Sequence, residues 1–364
     1  MKFVLTGGGT GGHAYPAISI GEALRSEYPD CELLFVGTRD SLEERLAITS
    51  GIRFTGITGR KLSKALSIGT ALAMASLARG IVEASSVLRA FKPDVVIGTG
   101  GYASAAVVLA HALRRGKVII HEADAIPGRT NRWLSRFATR VCVASEDSLK
   151  FLPADKTTVT GLAIRSALLD LPKREKARKA LGLDAGAFTI LVFGGSQGAR
   201  KLNEVVAESA AKLRKLPVQI LHQTGQKNFD EAEERAQSIG WDRYQVRGYL
   251  DDMRSAYAAA DLVVCRSGFG SISEITAVGL PSILVPYPYS HADHQTKNAE
   301  MVARNGGAMA ISDADFSAEF LVKTVKGFIK SPEKLQRMAD ASKALGKPNA
   351  ARDIARMAAE LARK

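Results

Sequence analysis

Short apolar runs, separated by longer stretches of helical periodicity, organise this chain. Val4-Leu5, Leu33-Leu34-Phe35-Val36, Val95-Val96-Ile97 and Val118-Ile119-Ile120 are apolar throughout instead of alternating, the pattern of strands buried on both faces. Pro16–Glu27 and Ala103–Arg114 lie between such runs and read as crossover helices. Strand, helix, strand, helix implies a parallel sheet covered on both sides. The rhythm lapses around Leu162–Asp184 into the charged stretch LPKREKARKALGLD. It restarts with Ile190-Leu191-Val192-Phe193, Gln219-Ile220-Leu221, Leu262-Val263-Val264-Cys265 and Ile283-Leu284-Val285. The expected fold class is α/β: two Rossmann-like, doubly wound parallel-sheet domains facing across a cleft, with a linker near residues 161–188. The amphipathic stretch Ala350–Arg363 suits either domain.

Composition narrows this picture. A length of 364 residues exceeds one ordinary core and favours two domains. Fifty Lys and Arg against 37 Asp and Glu give a formal charge of +13, which favours anionic partners such as phosphorylated substrates or lipid headgroups. Aromatic residues are only 6% and no basic run is interleaved with them, so no nucleic-acid partner is expected. Cys31, Cys142 and Cys265 lie far apart in apolar surroundings and read as reduced, buried thiols of a cytosolic protein. MKFVLTGGG lacks the pattern of a signal peptide. The apolar stretch between Lys64 and Arg79 is shorter than the ~20 residues of a spanning helix. Arg60, Lys61 and Lys64 before it allow either a membrane-surface helix or a buried crossover helix. The chain is expected to be soluble, or to lie at most on a membrane.

The chemistry concentrates where strands end. Thr6-Gly7-Gly8-Gly9-Thr10-Gly11-Gly12-His13 lies ahead of a helix expected to open near Pro16. Glycines there let backbone N–H groups close on an anion. Gly7, Gly9 and Gly12 also fit the dinucleotide pattern, but the acid expected at the end of the second strand is missing from Val36-Gly37-Thr38. Arg39 would suit a 2′-phosphate, which keeps a dinucleotide oxidoreductase as the rival enzyme class. His13, near a helix N-terminus, is a candidate general base or a structural histidine. Gly194-Gly195-Ser196-Gln197-Gly198-Ala199 repeats the glycine loop in the second half.

Arg266–Glu274 offers a third turn. Glu274 either accepts from a ribose diol or, three residues after Ser271, only caps a helix. Tyr289–Asn298 carries short polar side chains suited to sugar hydroxyls. Its His291, Asp293 and His294 lack a further ligand nearby, and Asp313-Ala314-Asp315 reads as helix capping. No metal and no cofactor are therefore expected. Gly98–Tyr102 and His121–Gly128 follow strands of the first half and form the expected acceptor side, with Tyr102 and Asp124 among their residues.

GGGTGGH, GTGGY, HEADAIPG, GGSQGAR, YLDDM, CRSGFGSISE and DHQTKNA occur in this order along the chain. The ordered set resembles the N-acetylglucosaminyltransferases of glycosyltransferase family 28 over nearly the whole length. The resemblance implies the GT-B fold and transfer, with inversion, from UDP-N-acetylglucosamine to undecaprenyl-linked lipid I. It further implies a peripheral place at the anionic inner-membrane surface, on the cytoplasmic side, in peptidoglycan synthesis. A related transferase acting on diacylglycerol is the alternative. The family resemblance also implies an N-terminal acceptor domain of residues 1–161 rejoined by a helix within 346–364, and a UDP-sugar domain of residues 162–345. Thr10, Gly11 and Gly12 would then line the diphosphate region beside His13. Arg165, Ser196 and the adjoining Gln197 would serve the donor phosphates, and Leu250 would meet uracil through its backbone. Phe269, Gly270, Ser271, Ile272, Ser273 and Glu274 would cradle the nucleotide, and Gln295 would hold the sugar.

Three departures stand out. Ala123-Asp124 replaces the family's usual Gln-Asn, Leu162-Ala163 replaces Asn-Pro, and Phe269-Gly270-Ser271 stands where many relatives have Ala-Leu-Thr. An acid at 124 would repel a pyrophosphate unless a basic neighbour compensates.

Overall fold

The computed structural model describes residues 1–59, 68–195, 197–290 and 293–364. They form two compact units, Met1–Ser166 with Lys347–Lys364, and Ala167–Gly346. The first contains strands β1 (Lys2–Thr6), β2 (Glu32–Gly37), β3 (Arg53–Gly56), β4 (Val95–Gly98), β5 (Lys117–Glu122), β6 (Arg140–Val143) and β7 (Thr157–Val159). They lie in the order β3-β2-β1-β4-β5-β6-β7, every pair parallel. Helices α1 (Gly11–Glu27), α2 (Leu42–Thr49), α3 (Ile68–Phe91), α4 (Tyr102–Ala112) and α5 (Arg129–Leu134) accompany them.

The unbroken apolar runs follow from this layering, because successive strand side chains point to opposite faces. Phe3 and Leu5 of β1 join Ile20 and Leu24 of α1 in one core. Val4, between them, joins Leu88 of α3 and Val107 of α4 in the other. α1 begins at Gly11, ahead of the expected start at Pro16, with Thr10 as its N-cap. Pro16 is tolerated because its missing N–H forfeits only the bond to the Gly12 carbonyl, near the helix start.

The second unit repeats the scheme. Its strands are β8 (Phe188–Phe193), β9 (Val218–Gln223), β10 (Tyr244–Arg247), β11 (Leu262–Cys265), β12 (Ser282–Leu284) and β13 (Ala308–Ala310), in the parallel order β10-β9-β8-β11-β12-β13. Helices α6 (Arg174–Ala180), α7 (Arg200–Leu213), α8 (Phe229–Ile239), α9 (Met253–Ala259), α10 (Phe269–Val278), α11 (His294–Arg304), α12 (Ala318–Lys330) and α13 (Pro332–Leu345) pack on it. The charged stretch that reads as a linker is partly built into this unit. Arg178 of α6 is buried, donates to the Ala259 and Ala185 carbonyls, and meets Asp261 at 2.6 Å. Residues 162–166 stay with the first unit, where the Ala163 N–H donates to His121 Nε2 at 3.3 Å.

The chain ends in α14 (Ala350–Arg363), which lies on α1. Its Ile354, Ala355, Ala358 and Ala359 enter the core shared with β1 and α1. Arg352 and Arg356 both pair with Glu27. Small residues along the buried stripe let the two helix backbones approach closely, and the arginines fix the register at the rim.

Candidate active site

In both sheets the strand order reverses beside the first strand of the unit, between β1 and β4 and between β8 and β11. Loops leaving the carboxyl ends of strands at such a switch diverge and open a crevice. In the first unit the two diverging loops are residues 7–10 and 99–101. Thr6 and Gly98 are register partners, so the loops start side by side. They are knitted together by one backbone bond, from the Gly8 N–H to the Gly100 carbonyl at 3.1 Å, and by Thr99 Oγ1, which donates to the His13 carbonyl at 2.6 Å. Gly101, at φ +93°, presses so close that a Cβ there would run into the Gly8 carbonyl. From behind, the buried Glu43 accepts from Thr38 Oγ1 at 2.5 Å and from the Gly9 N–H at 3.4 Å.

His13 lies in the first turn of α1, behind the cap residue Thr10 and after Gly11 and Gly12. Its ring packs on Gly100, where a Cβ would sit 2.7 Å from Nδ1. Nδ1 is buried with no hydrogen-bond partner. Burial holds its basicity below the ordinary histidine value, with the Asp124 charge and the Thr99 contact pushing the other way. Burial is the largest of these influences.

A pocket of about 240 Å³ joins these loops to a third, which follows β5. Gly9, Thr10, His13, Tyr102, Glu122, Asp124 and Arg129 all line it. Glu122 organises the loop: its carboxylate accepts from the N–H groups of Asp124 (3.0 Å) and Gly128 (3.0 Å) and from Asn131 Nδ2 (3.1 Å). Burial pushes this carboxyl up to about 7, against those donors. Neither Glu122, Asn131 nor Arg129 stands out from sequence, although all fall in or just after the motif HEADAIPG. Arg129 lines the same pocket as Asp124. His121, fully buried, shows its Nδ1 to the Cys142 carbonyl and its Nε2 to the Ala163 N–H. A proline at 163, as in the family's usual Asn-Pro, has no N–H to give. Arg165 follows this contact, and its guanidinium lies 5.4 Å from the Tyr15 ring centroid, within the first unit.

In the second unit, the loops after β8 and β11 occupy the equivalent switch. Gly195 (φ +86°) and Gly198 (φ +75°) shape the first of them, while Ser196 lies outside the described residues. The Gln197 carbonyl accepts from Asn228 Nδ2 at 3.3 Å. α10 begins at Phe269 with Gly268 as N-cap, so Ser271 is its third residue and not the cap, and the capping reading of Glu274 is overturned. Glu274 instead accepts a 2.8 Å bond from the Tyr257 hydroxyl. Tyr257 is buried and packs edge-on to Phe193, the last residue of β8, at 6.1 Å. At the start of α11, Gln295 Oε1 accepts from the Tyr287 N–H at 2.9 Å, Ser267 Oγ donates to the Gln295 carbonyl at 2.8 Å, and Asn298 Nδ2 donates to the Ser267 carbonyl at 3.2 Å. The Leu250 N–H is taken by Gln223 Oε1 at 2.9 Å.

Phe269 and Ile272 are buried in α10, whereas Gly270 is exposed and Ser271 and Ser273 are half-buried on the same helix. Asp313 meets the buried Arg266 at 2.6 Å and Asp315 exchanges hydrogen bonds with Ser312. His291, like Arg60, Lys61 and Lys64 of the first unit, lies outside the described residues. Among those described, no group of three or more His, Cys, Asp or Glu is placed to hold a metal ion.

Two doubly wound parallel-sheet units with glycine-rich loops at both switch points have the architecture of the GT-B class. The description "Glycosyltransferase family 28 N-terminal domain" matches residues 3–143, and "Glycosyltransferase family 28 C-terminal domain" matches residues 189–354. The chain belongs to glycosyltransferase family 28. A relative from Desulforudis audaxviator (strain MP104C) is 41% identical over 100% of this chain and 99% of its own. Another, from Desulforamulus reducens, is 40% identical over 97% of each. Both are called UDP-N-acetylglucosamine--N-acetylmuramyl-(pentapeptide) pyrophosphoryl-undecaprenol N-acetylglucosamine transferase. The crystal structure of Acinetobacter baumannii MurG is similar with a TM-score of 0.77 and 28% identity, covering 99% of both chains.

Proposed function

We propose that the chain transfers N-acetylglucosamine from UDP-N-acetylglucosamine to the 4-hydroxyl of the muramoyl sugar of undecaprenyl-pyrophosphoryl-muramoyl-pentapeptide. The observation that carries the residue-level reading is the pocket in which His13, at the start of α1, shares walls with Asp124 and Arg129. In the reaction the acceptor oxygen attacks the anomeric carbon, the bond to the β-phosphate oxygen breaks, and UDP leaves with that electron pair. Attack opposite the leaving group inverts the centre. His13 takes the hydroxyl proton at Nε2, since Nδ1 is turned against Gly100. A base whose proton affinity is held low by burial stays unprotonated at neutral pH and is ready to accept.

Thr10, Gly11 and Gly12 present the N-terminus of α1 to diphosphate charge. Arg129 attracts the acceptor pyrophosphate, while Tyr102 and Asp124 contact the acceptor sugar. On the donor side, Glu274, oriented by Tyr257, accepts from the ribose hydroxyls. The Leu250 carbonyl is left to accept from uracil, its N–H being spent on Gln223. Gln295 Nε2 donates to the sugar, its Oε1 being held by Tyr287. Arg165, Ser196 and Gln197 serve the donor phosphates, and residues 269–273 form the nucleotide's cradle. The lipid tail of the acceptor puts the enzyme at the cytoplasmic face of the inner membrane, on anionic lipid. No described helix is long and apolar enough to cross a membrane, which is compatible with that peripheral place.

The test is transfer of labelled N-acetylglucosamine from UDP to a short-chain, water-soluble lipid I analogue, with diacylglycerol as the competing acceptor. Labelled product on the muramoyl sugar supports the proposal. Label found only on diacylglycerol would replace it with the related lipid glycosylation.

A further inference from the structure

We infer that Gln223, the last residue of β9, sets the distance between the loop that serves the donor's phosphates and the backbone that meets its uracil. It is thereby a positioning residue for the nucleotide. This deepens the proposed function and rests on its placement of the donor. β9 lies between β8 and β10, and Gln223 is the register partner of Phe193 and of Arg247, the last residues of those two strands. The glycine loop of residues 194–199 leaves β8, and the loop of residues 248–252 leaves β10. With neighbouring strands about 4.8 Å apart, the two loops depart roughly 10 Å from each other. Gln223, buried between them, reaches both. Its Nε2 donates to the Gly195 carbonyl at 3.3 Å, and its Oε1 accepts from the Leu250 N–H at 2.9 Å.

The two partners demand an amide. A carbonyl only accepts and an N–H only donates, so the side chain between them needs one group of each kind, held in one orientation. The same Gly195 carbonyl accepts from the Gly198 N–H at 3.0 Å, a bond that closes the turn of the glycine loop. Gln223 therefore holds that loop at its turn. At the other end, fixing the Leu250 N–H fixes the course of the backbone there, and with it the carbonyl proposed to accept from uracil.

The far half of the glycine loop is held by other residues. His222, next to Gln223 on β9, points to the opposite face of the sheet and is fully buried. Asn203 Nδ2 donates to the Thr224 carbonyl at 3.0 Å, so its Oδ1 is the atom that accepts from His222 Nε2 at 3.0 Å. His222 Nδ1 then accepts from the Tyr244 hydroxyl at 3.0 Å. Burial pushes the histidine's pKa down to about 3, which suits a neutral ring that donates at one nitrogen and accepts at the other. Asn228 Nδ2 also donates to the Thr224 carbonyl, at 3.2 Å, and to the Gln197 carbonyl, at 3.3 Å. A Cβ at Gly198 would run into that same Thr224 carbonyl. This buried relay seats the loop without Gln223. What Gln223 adds is the link to Leu250, and its removal leaves the phosphate loop in its seat while releasing the backbone on the uracil side.

A nucleotide joins base and phosphates at a fixed covalent distance, whereas the separated fragments settle into their own subsites. Only the joined molecule senses the spacing. Gln223→Met keeps the length of the side chain and removes both bonds. UDP binding to the full chain, followed by calorimetric competition, should weaken by roughly tenfold in this variant. Uridine alone and inorganic pyrophosphate alone should each bind within about twofold of the parent, which also shows that both subsites are folded. Gln223→Glu gives a second readout. Its carboxylate accepts from Leu250 but opposes the Gly195 carbonyl, and once protonated it carries a hydroxyl that donates there. Lowering the pH through the titration of this glutamate should restore UDP affinity relative to Gln223→Met at the same pH. Unchanged UDP affinity in Gln223→Met would overturn the inference. Equal weakening of UDP, uridine and pyrophosphate would also overturn it, by showing a residue that only supports the fold. So would a Gln223→Glu chain that tracks Gln223→Met at every pH. If the parent binds UDP and the variants bind it equally well, this inference alone falls. If the parent binds no uridine ligand, the reaction proposed above falls with it.

Discussion

At the scale of single residues, the roles proposed for His13 and Glu274 can each be tested through a named side chain. His13 must be neutral to act as a base, and burial lowers its pKa from the usual 6.5. Because the protonated form is disfavoured, the acid limb of kcat/KM should lie below pH 6.5. Asp124 opposes that shift with its negative charge. Asp124→Asn, which also restores the family's residue, should move the limb further down while keeping activity. A limb that stays put in this variant would remove Asp124 from the environment of the base. His13→Ala should cut turnover by about 10²-fold or more, measured with saturating donor and acceptor. Tyr257 acts one step back, by donating to Glu274. Tyr257→Phe keeps the ring against Phe193 and removes only that bond, which to a carboxylate contributes about 1.5–3 kcal/mol. The KM for UDP-N-acetylglucosamine should rise by roughly tenfold with kcat little changed, and the penalty should vanish with a 2′,3′-dideoxyribose donor analogue. A penalty that persists with that analogue would mean the phenol supports the fold and does not orient the ribose carboxylate.

At the scale of elements, the sequence was legible wherever burial was two-sided and obscure elsewhere. β1, β2, β4, β5, β8, β9, β11 and β12 are all betrayed by apolar runs, because helices cover both faces of them. β3 (Arg-Phe-Thr-Gly) and β7 (Thr-Thr-Val) are edge strands with half-exposed, polar residues, and no run marks them. Glycine loops were legible as loops, but not what holds them. Glu43 hides in Ser41-Leu42-Glu43-Glu44, where Ser41 accepts from the Glu44 N–H as an ordinary helix cap. His121 is invisible because its partner Ala163 is distant in sequence, and Glu122 because two of its donors are backbone N–H groups that carry no residue signature. The Ala163 bond offers the test at this scale. Ala163→Pro restores the family's residue yet deletes the donor to His121 Nε2, leaving a buried acceptor unmet. The expected cost is about 1–3 kcal/mol, read as a lower denaturant midpoint at unchanged slope. His121→Phe combined with Ala163→Pro should recover part of it, since the orphaned nitrogen is then gone. Equal stability of parent and Ala163→Pro would show that the neighbouring strands alone hold Arg165 in place.

At the scale of the whole molecule, the first unit is closed by the last residues of the chain. α14 contributes Ile354, Ala355, Ala358, Ala359 and Leu361 to a core that also contains Phe3, Leu5 and Ile119. Lys117, at the start of β5, donates to the Leu361 carbonyl at 2.9 Å. Removing residues 350–364 would bare one face of the first sheet and release Glu27 from two arginines. Burial of such side chains contributes about 1.5–3 kcal/mol for each large one, so the loss of Ile354 and Leu361 together with the alanines is of the order of a small domain's whole stability. The second unit has its own cores, free of α14. Calorimetry should therefore show one transition lost or strongly lowered in the truncated chain and the other unmoved. Because Leu250, Glu274 and Gln295, proposed to hold the uracil, ribose and sugar of the donor, are on the second unit, UDP should still raise the surviving transition of the truncated chain, in proportion to the logarithm of its concentration. Truncation that lowers both transitions together would instead mean that the two units unfold as one, and that the final helix stabilises the donor side as well as the acceptor side.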